Sequence, residues 1–256
     1  MYENMISCKD YVALEKERIK KLDLSDVSLG IIQIGDNPAS NAYVKGKLKD
    51  CEEVGLRAKL YHYDEDISQS QLNETVRDNW NTGLIIQLPL PKHLSVKAAL
   101  SYMPKWKDVD GFIYDSGYVS CTPKGIVDWL HFNKVNLDGA NVVIIGRSDI
   151  VGKPLAKLML DNNATVTVCH SHTPKETVYE YCKNADIIVV AIGKESWLDF
   201  DLKDKLIVDV GINRNSEGKL CGDVDPKLKE NNYVTPVPGG VGLLTRISLL
   251  KNVVGI

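Results

Sequence analysis

The sequence predicts an α/β protein of two domains, each with a parallel sheet covered by helices on both faces. Three observations carry this. Short apolar runs alternate with amphipathic segments along the chain. The alternation starts afresh near Asn141, where a buried strand runs into a glycine-containing turn. The chain has 256 residues, long for one average domain and enough for two small ones. A hydrophobic fraction of 44% beside 25% charged residues excludes wholesale disorder, a collagen and a coiled-coil rod.

In chain order, the opening MYENMISCKDYVALEKERIKKL carries charges throughout and has no apolar core of a signal peptide. It reads as an amphipathic helix. Residues 29–35 (LGIIQIG) form a strand, 40–54 a helix, 57–63 a strand and 68–80 a helix. Residues 83–90 (GLIIQLPL) form a third strand, stopped by Pro89 and Pro91, and a short helix follows near 96–102. Gly117 and Cys121-Thr122-Pro123 punctuate the chain at 116–122, where the domain boundary is expected. Beyond it come a helix at 123–133, strand 141–146, helix 151–161, strand 164–170, helix 174–184, and strands 186–193 and 206–212.

Net charge is −3, which does not suit a protein that coats nucleic acid. The longest apolar runs are far shorter than a membrane span. Cys8, Cys51, Cys121, Cys169, Cys182 and Cys221 include no C-x-x-C pair and no zinc-knuckle spacing, so reduced thiols in a cytoplasmic protein are expected.

Residues 141–154 read NVVIIGRSDIVGKP. A helix N-terminus following a strand offers free N–H groups to phosphate, and Gly146 and Gly152 permit close backbone approach. The pattern is G-x-S-x-x-x-G rather than G-x-G-x-x-G, so on spacing alone it reads equally as a nucleotide site or an ordinary tight turn. The next strand ends in His170-Ser171-His172 with no acid to hold a ribose 2′-hydroxyl, and Arg147 lies in the turn. An acid-free pocket with an arginine and hydroxyls favours NADP over NAD. The two histidines read as a polar strand end before a metal site, because no third ligand is suggested nearby.

In the first half, Tyr43 and Lys47 are four apart on one helix and share a face, which alone is the pattern of a solvated surface. Gln87 interrupts an apolar strand at its C-terminal end, a place suited to a ligand cleft. Asp108 and Asp110 precede Gly111, a spacing that equally fits a turn.

Taken in order, NPAS with Tyr43 and Lys47, QLPLP, KDVDGF, CTPKGI, GRSDIVGKP, DVGIN, GDVD and TPVPGGVG closely resemble the bifunctional methylenetetrahydrofolate dehydrogenase/methenyltetrahydrofolate cyclohydrolase family. The resemblance runs from about Leu29 to Thr245. It implies an N-terminal α/β catalytic domain, residues 1–118 with the C-terminal helix 245–256, and a Rossmann-type NADP-binding domain, residues 119–244. It implies a cytoplasmic homodimer of one-carbon metabolism that acts on tetrahydrofolate derivatives, with no metal and no nucleic-acid or membrane partner. The two reactions it implies are oxidation of 5,10-methylenetetrahydrofolate and hydrolysis of the methenyl product to 10-formyltetrahydrofolate, in one shared cleft. By the same resemblance Lys47 is the catalytic lysine, Gln87 supports it, Tyr43 stacks on the folate and Asp110 holds the pterin. Gly146, Arg147, Ser148, Ser171 and Ile212 contact NADP, and Pro236 to Gly240, with Gly239 between them, line the cleft.

That chemistry is consistent with the residue types. Hydride transfer needs alignment more than a base. Water attack needs a proton acceptor, and an amine in a dry site beside a cationic substrate can serve. The chain departs from the family pattern at Ile113-Tyr114, in a shortened segment up to Cys121, at Ser120 and at Leu243-Leu244. These departures suggest an alternative with weak or lost cyclohydrolase. Another two-domain NADP oxidoreductase, of shikimate-dehydrogenase type, is a second alternative, but it needs neither QLPLP nor KDVDGF.

Overall fold

The computed structural model describes residues 5–256, so the first four residues of the expected N-terminal helix lie outside the described residues. Contacts divide the chain into two compact units. One comprises Leu14–Cys121 and Arg246–Ile256, the other Thr122–Thr245 with the chain up to Ala13. The start of the chain therefore groups with the second unit, whereas the sequence reading placed it in the first. The reason is local packing: the Trp129 indole donates to the Ile6 carbonyl at 3.0 Å, and the Tyr11 ring lies 5.0 Å from that of Phe132.

Helix α1 (Cys8–Ile19) leads into the first unit, which holds β1 (Ser28–Ile34), α2 (Pro38–Val54), β2 (Arg57–Tyr63), α3 (Gln69–Arg77), β3 (Gly83–Ile86) and α4 (Val96–Leu100). The strands are parallel in the order β2-β1-β3. Every residue of β1 and β3 is buried, as in a sheet covered on both faces, while β2 is an edge strand with half its side chains open. The cross-over reverses between β1 and β3, and ligands settle at such switch points outside the carboxyl ends of the strands. Helix α2 starts there. Asn37 caps it by accepting from the amides of Ala39 (2.9 Å) and Ser40 (3.2 Å), Pro38 opens its first turn, and Gly55 ends it with φ +80°. The reciprocal Ser68–Gln71 capping box starts α3.

The second unit begins with α5 (Cys121–Phe132), then β4 (Asn141–Ile145), α6 (Gly152–Asp161), β5 (Thr165–Cys169), α7 (Lys175–Lys183), β6 (Ile187–Val190) and β7 (Leu206–Asp209). A small antiparallel hairpin, β8 (Asn213–Arg214) with β9 (Leu220–Cys221), precedes β10 (Tyr233–Val234). Five of these strands make a parallel sheet in the order β10-β7-β6-β4-β5, with its switch point between β4 and β6. Helix α8 (Val241–Val254) closes the chain and passes from this unit into the first at Thr245. The six cysteines are free.

Several elements are shorter than the sequence suggests. Strand β3 stops at Ile86, and β6 and β7 stop at Val190 and Asp209, because only the next residue of each keeps a bond to its neighbour before the chain turns into a loop. The last helix begins at Val241, not at Thr245. Its start is fixed by backbone contact: a Cβ on Gly125 of α5 would lie 2.5 Å from the Leu244 carbonyl oxygen. Gly125→Ala is therefore expected to destabilise the protein by about 1–3 kcal/mol through overpacking, although alanine favours an isolated helix. A fall in the urea midpoint at unchanged slope checks this.

Candidate active site

In the first unit, Ser40, Lys47 and Asp50 all lie on the buried side of α2. Buried polar groups are costly without partners, and each of these has one. The Ser40 hydroxyl donates to the Leu88 carbonyl at 3.2 Å. Lys47, only 6% exposed, donates from Nζ to Gln87 Oε1 at 3.0 Å. The Gln87 amide has its orientation set from the other end, since its Nε2 donates to the Leu88 carbonyl at 2.8 Å. The oxygen is thereby left for the amine. Gln87 itself stands just beyond β3, with its backbone N–H still bound to Ile32 on β1 at 2.8 Å. Asp50 pairs with Lys16 of α1 at 2.5 Å and with Arg246 of α8 at 2.9 Å. Gly46 leaves the room in which the Arg246 guanidinium lies against α2. Tyr43 is half-buried, and burial pushes its phenol up, with Arg246 opposing.

Asp110 is buried on the segment between α4 and α5. Burial pushes the Asp108 carboxyl up to about 6, against the pull of the Ile113 N–H, which donates to it at 2.6 Å. Gly111 turns the chain with φ +73°, and a Cβ there would meet Ser120 N at 2.6 Å. The two backbones are pinned together by Cys121, whose N–H donates to the Asp110 carbonyl at 3.2 Å and whose thiol donates to the Val109 carbonyl at 3.3 Å. Burial and the Asp110 carboxylate push that thiol well above its ordinary value, and the Lys47 charge opposes them. Cys121 is thus a neutral donor beside Lys47 and Asp110. Asn252 of α8 adds bonds to the Val109 and Val119 carbonyls at 2.9 and 3.3 Å. The structure brings Lys47, Gln87 and Asp110 into one unit. It also supplies Ser40, Cys121 and Asn252, for which the sequence reading had no role. Ser40 and Cys121 stand inside the NPAS and CTPKGI motifs, and Asn252 lies in none of the motifs named above.

In the second unit, Gly146 ends β4 with φ +125°, where a Cβ would collide with the Ala191 carbonyl beyond β6. A Cβ on Gly152 would collide with Gly146 itself. The backbone therefore forms a close-walled cradle at the switch point. Ser148 braces the turn that leads into α6: its hydroxyl accepts from the amides of Val151 at 3.2 Å and Gly152 at 3.4 Å. Arg147 and Ser171 are exposed at the ends of β4 and β5, and Ile212 is 46% exposed after β7. No carboxylate stands at the end of β5, where Cys169 is followed by His170-Ser171-His172. Residues Pro236 to Gly240 form a tight turn in which Gly239 has φ +100° and Gly240 packs on the Pro236 carbonyl. The donor set fits a dinucleotide with a 2′-phosphate: a cradle no side chain could share, a helix N-terminus, a cation and hydroxyls.

Residues 7–110 match the catalytic domain of tetrahydrofolate dehydrogenase/cyclohydrolase, and residues 120–256 match the NAD(P)-binding domain of the same enzyme. The chain belongs to the tetrahydrofolate dehydrogenase/cyclohydrolase family. A relative named Bifunctional protein FolD from Agathobacter rectalis is 42% identical, over 96% of this chain and 93% of its own. The crystal structure of a bifunctional FolD, methylenetetrahydrofolate dehydrogenase/cyclohydrolase, from Campylobacter jejuni superposes with TM-score 0.91 at 39% identity, covering 98% of this chain and 97% of that one. The Trypanosoma brucei dehydrogenase-cyclohydrolase, solved with NADP and an inhibitor, gives TM-score 0.89 at 28% identity, over 97% and 95% of the two chains. The chain is accordingly a two-domain α/β enzyme, a methylenetetrahydrofolate dehydrogenase and methenyltetrahydrofolate cyclohydrolase that uses NADP. The bifunctional reading stands over both the dehydrogenase-only and the shikimate-dehydrogenase-like alternatives.

Proposed function

We propose that Lys47 is the proton acceptor of the cyclohydrolase step, with Gln87 as its neutral support. The 3.0 Å bond between them, at the carboxyl end of β3, is the observation that carries this reading. An uncharged amide oxygen aims the amine without adding a carboxylate that would hold it as an ammonium ion. Asp110 binds the pterin ring through its carboxylate, and Tyr43 offers its ring face to the folate. Pro236, Gly239 and Gly240 line the folate site. Gly146, Arg147, Ser148, Ser171 and Ile212 bind NADP, which when bound supplies the hydride acceptor. Apart from the turn at Pro236 to Gly240, the folate-binding role falls to residues 14–118 with 245–256, and the cofactor-binding role to residues 119–244. Alignment of the methylene carbon is what these residues contribute to oxidation. For hydrolysis, the Lys47 amine takes a proton from the attacking water.

Lys47→Met is expected to abolish hydrolysis of the methenyl substrate and leave folate binding within a few-fold, because the linear side chain keeps most of the packing. Hydrolysis at the wild-type rate, after subtraction of the uncatalysed rate, would rule out Lys47 as the base. Arg147→Ala is expected to weaken NADP far more than NAD, by roughly tenfold or more for loss of a charge-assisted contact. Equal losses for the two cofactors would show that Arg147 does not read the 2′-phosphate.

The enzyme is proposed to act as a cytoplasmic homodimer. Among the described residues no helix is long and apolar enough to cross a membrane. Strand β2 has a free edge, and beside it a groove lined by Val44, Leu48 and Leu60 offers apolar surface for a second copy. Light scattering is expected to give twice the 28.5 kDa of one chain. Ala58→Pro on β2 is expected to lower that mass towards the monomer, since its N–H faces the free edge and proline there adds bulk and removes a donor without breaking the ladder to β1.

A further inference from the structure

The second unit contains an anion site that the protein fills with its own carboxylate. Asp223 is fully buried. Its Oδ2 accepts from the amides of Ile192 at 2.8 Å and Gly193 at 2.9 Å. Its Oδ1 accepts from the amide of Lys194 at 2.7 Å and from Asn213 Nδ2 at 2.9 Å. Three successive backbone N–H groups, with Gly193 at φ +65°, make the concave nest that elsewhere holds a phosphate. Here all three point inward. Asp223 is in turn seated by Asp209, which accepts from its backbone amide at 2.9 Å. One carboxylate thus ties the loop after β6 to Asn213, the residue next to Ile212 in the loop after β7.

These loops lie on one side of the switch point. Strand β5, whose end suits the 2′-phosphate half of a dinucleotide, lies on the other side of β4. The nicotinamide half must therefore run toward β6 and β7. We propose that Asp223 is a positioning residue for the nicotinamide half of NADP. It turns the amides at 192–194 away from the ligand and fixes the loop that carries Ile212, so the cofactor meets a wall of set shape. The proposal rests on the cofactor reading above. It separates the two activities, because hydrolysis of the methenyl substrate consumes no cofactor.

The test uses the full chain and two variants. Asp223→Asn keeps the volume but replaces one acceptor oxygen with a donor that faces backbone N–H groups. Asn213→Ala removes one of the four donors and leaves the carboxylate in place, so it remains informative if the first variant fails to fold. NADP and 2′,5′-ADP, which carries only the phosphoadenosine half, are titrated calorimetrically, and cyclohydrolase activity is assayed without cofactor. Asp223→Asn is expected to weaken NADP at least tenfold and Asn213→Ala about threefold. 2′,5′-ADP affinity and cyclohydrolase rate should stay within twofold of wild type. Unchanged NADP affinity in both variants would overturn the proposal. So would parallel loss of NADP, 2′,5′-ADP and cyclohydrolase, which would mark Asp223 as general structural support. Failure of the cofactor reading would look different: wild-type protein would bind neither ligand, and both readings would fall together.

Discussion

A lysine amine held against an uncharged amide oxygen is the contact on which the catalytic unit depends. Lys47 is on a helix and Gln87 at the end of a strand, and the 3.0 Å between them requires both elements to be fixed in rotation and along their axes. Apolar packing alone tolerates small slips of a helix over a sheet, whereas buried polar pairs do not, because a slip leaves a desolvated group without a partner. Helix α2 is pinned in this way at three levels: Ser40 to the chain beyond β3, Lys47 to Gln87, and Asp50 to both α1 and α8. The ion pairs in the last of these contribute little net stability against a hydrophobic replacement, and their value is in specifying register. The helix that carries the Lys47 amine is thus positioned by polar contacts on either side of it.

The second unit uses the same economy of buried polar groups on its backbone. Asp209 accepts from the amides of Gly211, Asp223 and Val224, and burial, reinforced by the nearby Asp223, pushes its carboxyl up to about 6. Asp223 takes four donors of its own. These two carboxylates require glycine beside them: a Cβ at Gly211 would overlap Asp223, and one at Gly222 would overlap Asp209. The DVGIN and GDVD motifs are therefore one device, in which each acid occupies the space its partner glycine leaves.

The sequence made the fold class readable because period-2 and period-3.6 patterns alternate cleanly. Helix α2 was legible to within two residues at its start, since Asn37-Pro38 and Gly55 are strong signals. Strand ends were less legible. Gln87, Ala191 and Val210 each keep one backbone bond to the neighbouring strand, and the chain turns out of the sheet beyond them although the sequence pattern runs on. Lys47, Gln87 and Asp110 were legible only through the ordered set of motifs, since each alone fits a solvated face, an edge strand or a turn. Asn252 carried no comparable signal, and Cys121 and Asp223 stood inside CTPKGI and GDVD without a role of their own. Their importance lies in backbone groups that they satisfy far along the chain, and spacing does not reveal those partners.

The departures from the family pattern gave a physical reason to expect a loosened folate site and weak hydrolysis. The structure removes much of that reason. The shortened segment after Asp110 is closed by Gly111 packing on Ser120, by the Ile113 N–H on Asp108, and by the half-buried side chain of Ile113 packing against the core around β3. Leu243 lies within the first turn of α8, and its N–H donates to the Gly240 carbonyl at 2.9 Å, a bond that proline could not make. What the chain loses in preset backbone geometry at that helix entrance it recovers as a hydrogen bond to the turn that holds Gly239 and Gly240. A wall built from local hydrogen bonds can hold a substrate as firmly as one built from a fixed ring, so the loss of proline does not imply misplacement of Lys47. The amine's position is set independently, by Gln87 and the polar face of α2, and neither involves the altered segments.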